Sequence, residues 1–166
     1  MGRKCCAPNP PVGCIVARHG TVIGRGFHQH AGHAHAEVNA LADAGGDVAG
    51  ATVYVTLEPC AFVGRTPACA QTLIDAKVGR VVVATQDPHP QVAGKGCQML
   101  RDAGIEVVEF DLPEAQQMIA GFVSRITRQR PRVVLKSASS LDGAVALASG
   151  ESQWITGAAA RKEVQQ

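Results

Sequence analysis

Three potential metal ligands set the strongest constraint on what this chain can fold into. His35 opens His35-Ala36-Glu37, Cys60 follows Pro59, and Cys69 follows Pro67-Ala68. One imidazole and two thiols can form a three-ligand zinc site, so a fold that uses them must carry three separate stretches to one point. A structural zinc site normally closes with four protein ligands, whereas a catalytic one keeps its fourth position for water. Zinc brings the pKa of bound water down to about 7, and Glu37 stands two residues from the imidazole, where it can move protons. Taken singly, a His, a Glu and two Cys are more often structural; their joint order and flanks predict zinc. Residues i and i+2 of a regular helix do not share a face. His35 and Glu37 can therefore serve one site only if His35 stands at the start of a helix, which Gly32 and the local His-Ala-His sequence allow. Both thiols follow prolines and are expected at or near helix N-termini, where the helix dipole favours thiolate.

Periodicity along the chain predicts an α/β domain. The runs Val12–Arg18 and Thr21–His28, split by His19-Gly20, form a strand hairpin. Ala34–Ala44, rich in Ala, Leu and Glu, is a helix stopped at Gly45-Gly46. Strands are expected at Thr52–Leu57, Arg80–Thr85 and Ile105–Phe110, with helices at Pro67–Ala76 and Gly94–Ala103 between them. This alternation implies a three-layer arrangement with parallel pairing in its second half. Pro113–Gln129 reads as a closing helix with Ala115, Met118, Ile119, Phe122, Val123 and Ile126 on one apolar stripe. Arg130-Pro131 marks a joint, after which Val133–Leu135 begins a new strand. Residues 132–166 are too few for an independent core.

Composition excludes several classes. The 166 residues carry a net charge of +2 with 46% hydrophobic and 18% charged residues, as in an ordinary globular domain. The densest basic stretch, Arg125 to Lys136, is scattered enough to read as a solvated helix end and linker, which weakens a nucleic-acid footprint. No stretch approaches the ~20 apolar residues of a membrane span. The six cysteines lack the spacing of a secreted disulfide scaffold, and two are claimed by the metal, which favours a reducing, cytoplasmic setting. Cys14 and Cys97 are expected as buried packing thiols; the role of Cys5 and Cys6 is open.

The order H-A-E followed by L-E-P-C (Leu57 to Cys60) resembles the zinc deaminases, whose signature is H-x-E…P-C-x-x-C. Here eight residues, Ala61 to Ala68, replace two before the last thiol. The segment Gly64-Arg65-Thr66-Pro67-Ala68-Cys69 resembles the corresponding loop of the riboflavin-biosynthesis pyrimidine deaminases. The same resemblance covers Ala7-Pro8-Asn9-Pro10-Pro11-Val12-Gly13-Cys14, Gly26-Phe27-His28-Gln29 and Gln86 to Gly96. Residues 132–156 are similar to the start of the reductase domain fused to such deaminases.

The resemblance implies a three-layer cytidine-deaminase-like fold, a mixed five-stranded sheet flanked by helices. It implies a zinc-dependent pyrimidine deaminase domain over residues 1–129, with its N-terminal helix largely missing. Residues 130–166 would be the truncated start of a dihydrofolate-reductase-like reductase domain. The implied activity is hydrolytic deamination of a diaminopyrimidinone carrying a ribosylamino 5′-phosphate. Zn²⁺ would sit on His35, Cys60 and Cys69, with Glu37 as catalytic acid/base. Asn9, His28, Arg65 and Asp87 match substrate-contact positions, Arg65 being suited to phosphate. Phe62 stands where the family commonly has histidine, and His89 where it has asparagine. In the reductase-like tail, Lys136, Ala138, Ser152 and Trp154 match substrate or cofactor contacts, and NADPH is expected only for a full-length reductase. The expected partner is a small phosphorylated pyrimidine, with no nucleic acid and no membrane; a homo-oligomer stays open.

Two rivals remain at this stage. A tRNA adenosine or nucleoside deaminase would favour C-x-x-C, and the insertion and the tail argue against it. A non-catalytic zinc-stabilised binding module would need a fourth protein ligand, for which His28, His33 and Cys14 are the candidates.

Overall fold

The computed structural model describes residues 6–64, 67–90 and 92–164. Five strands form one sheet: β1 (Gly13–Arg18), β2 (Thr21–Phe27), β3 (Thr52–Val55), β4 (Arg80–Val83) and β5 (Glu106–Glu109). Their spatial order is β2-β1-β3-β4-β5. β1 runs antiparallel to both β2 and β3, with Cys14 opposite Gly26 and Val55. The β3–β4 and β4–β5 pairs are parallel, with Val53, Val81 and Val107 in one cross-strand row. The mixed five-stranded sheet is thus present, and its parallel half is the one predicted. Parallel strands need a crossover, which here is helical: α2 (Cys69–Asp75) joins β3 to β4 and α3 (Lys95–Asp102) joins β4 to β5.

One face of the sheet carries the core. Val16, Val53, Val81 and Val83 meet Ala36 and Ala40 of α1 (Ala36–Ala44), Leu73 of α2 and Leu100 of α3 in a single buried cluster. Full burial of a side chain such as Leu73 or Leu100 contributes roughly 1.5–3 kcal/mol. Cys14 and Cys97 are buried in this cluster as packing thiols; desolvation pushes Cys97 up to about 12 and Cys14 well above the ordinary thiol range. α1 ends at Gly45, which takes a left-handed conformation (φ 65°) and returns its N–H to the Ala42 carbonyl, the usual helix stop.

The closing helix differs from the sequence expectation. It divides into α4 (Pro113–Met118) and α5 (Ala120–Arg128), broken at Ile119 (φ −100°, ψ 8°). Ile119 is buried and its backbone leaves helical geometry there. The apolar stripe therefore serves two purposes: Ala115 and Ile119 are buried, whereas Phe122 and Ile126 turn toward a cavity.

The chain divides into two compact units, residues 1–132 and 133–166. In the second, the strand expected at Val133–Leu135 does not form. Val133 and Leu135 are 83% and 90% exposed, and among the described residues no strand pairs with them. The unit has one helix among its described residues, α6 (Ala158–Val164). Lys136 Nζ donates to the Val164 carbonyl at 3.0 Å.

Candidate metal centre and its cavity

The carboxyl ends of β3 and β4, the start of β1 and the end of β2 converge on one place. His35 is the N-cap of α1 and has extended backbone (φ −74°, ψ 169°), so its ring is free of the helical step that would turn it from Glu37. Cys69 is the first residue of α2. His35 Nδ1 lies 3.1 Å from Cys69 Sγ and 3.7 Å from Cys60 Sγ. The Cys69 backbone N–H donates to Cys60 Sγ at 3.2 Å. The three donor atoms fall within 4.8 Å of one another. Zn–S and Zn–N bonds of about 2.3 and 2.0–2.1 Å in tetrahedral geometry put adjacent donors roughly 3.6–3.8 Å apart, so this cluster has the dimensions of a zinc site.

Its electrostatics fit the same ion. The Cys60 thiol is held down to about 4, first by the hydrogen bond from Cys69 and then by His35. The Cys69 thiol is pushed far above its usual range by its hydrogen bond to Cys60 and by burial. The His35 ring is raised, chiefly by its bond to Cys60. Two thiols in contact resist ionising together; a divalent cation removes that conflict. Glu37 is buried, and its Oε2 has no hydrogen-bond partner. Desolvation, with the nearby Cys60 adding to it, lifts its carboxyl to about 7, the range in which a general acid/base works at neutral pH. An unsatisfied buried oxygen beside three soft and borderline donors is what a metal-activated water would complete.

The predicted alternatives for a fourth ligand are not met. Among the described residues no further His, Cys, Asp or Glu joins the cluster. His28 is otherwise engaged: its Nδ1 lies 3.1 Å from the Ala34 carbonyl and its Nε2 lies 3.0 Å from Asn9 Nδ2. These partners assign a neutral ring that donates from Nδ1 and accepts at Nε2. Burial lowers the His28 pKa in the same sense. Its ring stands edge-on to His35, with centroids 5.2 Å apart.

A cavity of about 630 Å³ lies over the cluster, within the size range of small-molecule sites. His35, Glu37 and Cys60 line it, as do Asn9, His28 and Asp87 from the predicted substrate set and both departing positions, Phe62 and His89. Arg65 lies outside the described residues; its neighbour Gly64 is at the cavity wall. Of the tail residues, Ala138 and Ser152 are exposed. Trp154 is 69% exposed, with the Arg161 guanidinium 4.1 Å from its ring centroid.

Sequence reasoning missed two contributors. One wall comes from α5, through Phe122, Arg125 and Ile126. Arg125 is the single Arg or Lys among the described lining residues, and it donates to the Pro8 carbonyl at 2.8 Å beside Asn9. The i, i+4 pair Phe122 and Ile126 with Arg125 between them was the available signal, and it looked like ordinary core plus solvated charge. The other is Glu58, quoted within L-E-P-C but assigned no role; a carboxylate at the end of an apolar strand was its signal.

These features define the class: a cytidine-deaminase-like α/β domain with a candidate three-ligand His/Cys/Cys metal site. Residues 1–85 match the cytidine and deoxycytidylate deaminase zinc-binding region, and residues 131–166 match the RibD C-terminal domain. The chain belongs to the cytidine and deoxycytidylate deaminase zinc-binding family. It is 54% identical over 165 residues to riboflavin biosynthesis protein RibD of Haemophilus influenzae, covering 99% of this chain and 44% of that one. Identity to the Escherichia coli protein of the same name is 52%, covering 99% and 45%. A solved diaminohydroxyphosphoribosylaminopyrimidine deaminase/5-amino-6-(5-phosphoribosylamino)uracil reductase from Thermotoga maritima superposes with a TM-score of 0.87 at 43% identity, covering 95% of this chain and 46% of that one. Acinetobacter baumannii RibD gives 0.85 at 54% identity, covering 99% and 46%. The chain thus spans less than half the length of these relatives. No helix among its described residues is long and apolar enough to cross a membrane.

Proposed function

We propose that this chain deaminates a diaminopyrimidinone carrying a ribosylamino 5′-phosphate, releasing ammonia and leaving the 5-amino-6-(5-phosphoribosylamino)uracil. The observation that carries the reading is the buried, unpartnered Glu37 Oε2 beside a His/Cys/Cys cluster that has no fourth protein ligand among the described residues. The similarity to RibD proteins supplies the substrate class.

His35, Cys60 and Cys69 would hold the zinc. Bound there, zinc supplies the Lewis acidity that makes water a nucleophile at neutral pH. Glu37 takes one proton of the attacking water and delivers it to the ring nitrogen, then takes the second from the added hydroxyl and delivers it to the departing amine. The carbon that carried the 2-amino group is left as a carbonyl, and Glu37 ends as it began. Asn9 and His28 act as a pair: the Asn9 amide is oriented by His28 Nε2, and His28 by the Ala34 carbonyl next to the metal ligand. Asp87 offers an acceptor to the pyrimidine's amino and ring N–H groups. Arg125, with Arg65, is suited to the phosphate. Phe62, half-exposed at the rim, offers an aromatic face to the ring.

The working compartment we propose is the cytoplasm. The scattered basic residues support a small-molecule rather than a nucleic-acid partner. Ala138, Ser152 and Trp154 would contribute to an NADPH-dependent reductase only within a full-length protein. The test is ammonia release from the phosphorylated pyrimidine, compared with Glu37→Gln. Wild-type chain should turn over, and the variant should keep its zinc and lose at least ~10²-fold in rate. Ammonia release by the variant at the wild-type rate would remove Glu37 from the mechanism. No release by zinc-loaded wild type would reject the substrate.

A further inference from the structure

We propose that Glu58 is a positioning residue, which clamps the Asp87–Gly94 loop to the metal-bearing segment and so sets where Asp87 meets the substrate. Its side chain is 3% exposed. Both oxygens are filled by backbone donors: Oε2 accepts from Asp87 N–H at 3.2 Å and Gly94 N–H at 2.9 Å, and Oε1 from Gly96 N–H at 3.0 Å and Cys97 N–H at 3.3 Å. The Glu58 backbone N–H donates to the Thr85 carbonyl at 3.0 Å. One residue thus ties down both ends of the loop that follows β4, two positions before the ligand Cys60.

The surrounding backbone is shaped around this clamp. Gly94 has a left-handed conformation (φ 83°) that starts α3. At Gly96 a Cβ would lie 1.8 Å from the Pro59 carbonyl oxygen, so the first turn of α3 packs backbone to backbone against the residue next to Glu58. Within the loop, Asp87 Oδ1 accepts the His89 N–H at 2.7 Å, which orients the carboxylate the clamp has placed. A buried carboxylate receiving four N–H groups is a strong, directional fixture, and neither the zinc chemistry nor the Glu37 proton transfers use it. The proposal rests on the reading of Asp87 as a substrate contact.

Glu58→Gln tests it, because the amide keeps the shape but turns an NH₂ toward donors that need an acceptor. The expected result is wild-type zinc content, a KM raised about tenfold or more, a kcat within about threefold, and faster amide hydrogen exchange at Asp87 and Gly94. Because Glu58 acts through Asp87, the KM effect should largely vanish in an Asp87→Asn background. Full additivity of the two KM effects, or zinc loss with the loop amides still protected, would overturn the proposal. If the variant does not fold, exchange in the unmodified chain decides. The amides of Asp87, Gly94, Gly96 and Cys97 should be protected like those of Val81 and Val83, and exchange at a free-loop rate would refute the clamp. That measurement needs no substrate, so a wrong substrate and a wrong clamp give different results.

Discussion

Replacing Gly26 with Ala should damage the metal site from the far side of a helix. Gly26 lies on β2 directly under α1, and a Cβ there would stand 2.2 Å from the Ala36 carbonyl oxygen and 2.3 Å from the Ala40 nitrogen. Ordinary contact starts near 3.4 Å, so α1 must retreat by about 1.2 Å or tilt, since helix backbone cannot rotate away as a side chain does. Overpacking costs typically ~1–3 kcal/mol, and rigid backbone on the opposing side puts this case near 3. With an unfolding entropy of about 2.1 cal/mol/K per residue over a unit of 132 residues, ~3 kcal/mol lowers Tm by roughly 11 °C. The larger consequence is chemical. Ala36 sits between His35 and Glu37, and a displacement of about 1 Å in a reacting group can cost ~10²-fold in rate. Thermal unfolding, zinc content and ammonia release on Gly26→Ala should therefore show a moderate loss of Tm and a disproportionate loss of activity at a temperature where the chain is folded. Gly121→Ala is the control: nothing lies within 4 Å of its Cβ, and an Ala in α5 should leave stability unchanged or raise it by up to ~1 kcal/mol, with Tm equal or higher. Gly26→Ala with wild-type Tm, zinc and turnover would refute the claim that the β2–α1 contact sets the ligand geometry.

Cys69→Ala should lose stoichiometric zinc, because two remaining ligands rarely retain it; metal analysis showing full occupancy would reject the ligand set. Asp87→Asn should lower activity while leaving Tm equal or higher at neutral pH. Burial raises the Asp87 carboxyl above its ordinary value, so its ionisation is easier in the unfolded chain and penalises the folded one once pH climbs through the ordinary carboxylate range. The Tm advantage of the variant should accordingly disappear below about pH 3.9, and a variant less stable at every pH would contradict that sign. Arg125→Gln should raise KM for the phosphorylated pyrimidine by about tenfold and leave the dephosphorylated riboside unaffected; an equal effect on both would place Arg125 away from the phosphate.

The His35, Cys60 and Cys69 grouping and the strand–helix alternation were legible from residue order. His35-Ala36-Glu37 carried its own geometric condition, since i and i+2 can share a site only at a helix start, and His35 is indeed the N-cap of α1. The β-branched runs and the Gly45 stop needed only local chemistry. What sequence could not supply was contact between distant stretches. Glu58 looked like one more strand-end residue until four N–H groups from residues 87–97 closed on it. By periodicity alone, the apolar stripe from Ala115 to Ile126 belongs to a single continuous helix. The break at Ile119 then assigned part of it to burial and turned Phe122, Arg125 and Ile126 to the cavity wall. Val133–Leu135 has the composition of a strand but pairs with none among the described residues, and it remains irregular. Ligand identity and local backbone form follow from short-range chemistry written residue by residue. Which polar groups become satisfied, and which apolar faces become walls, depends on long-range packing that only the folded chain defines.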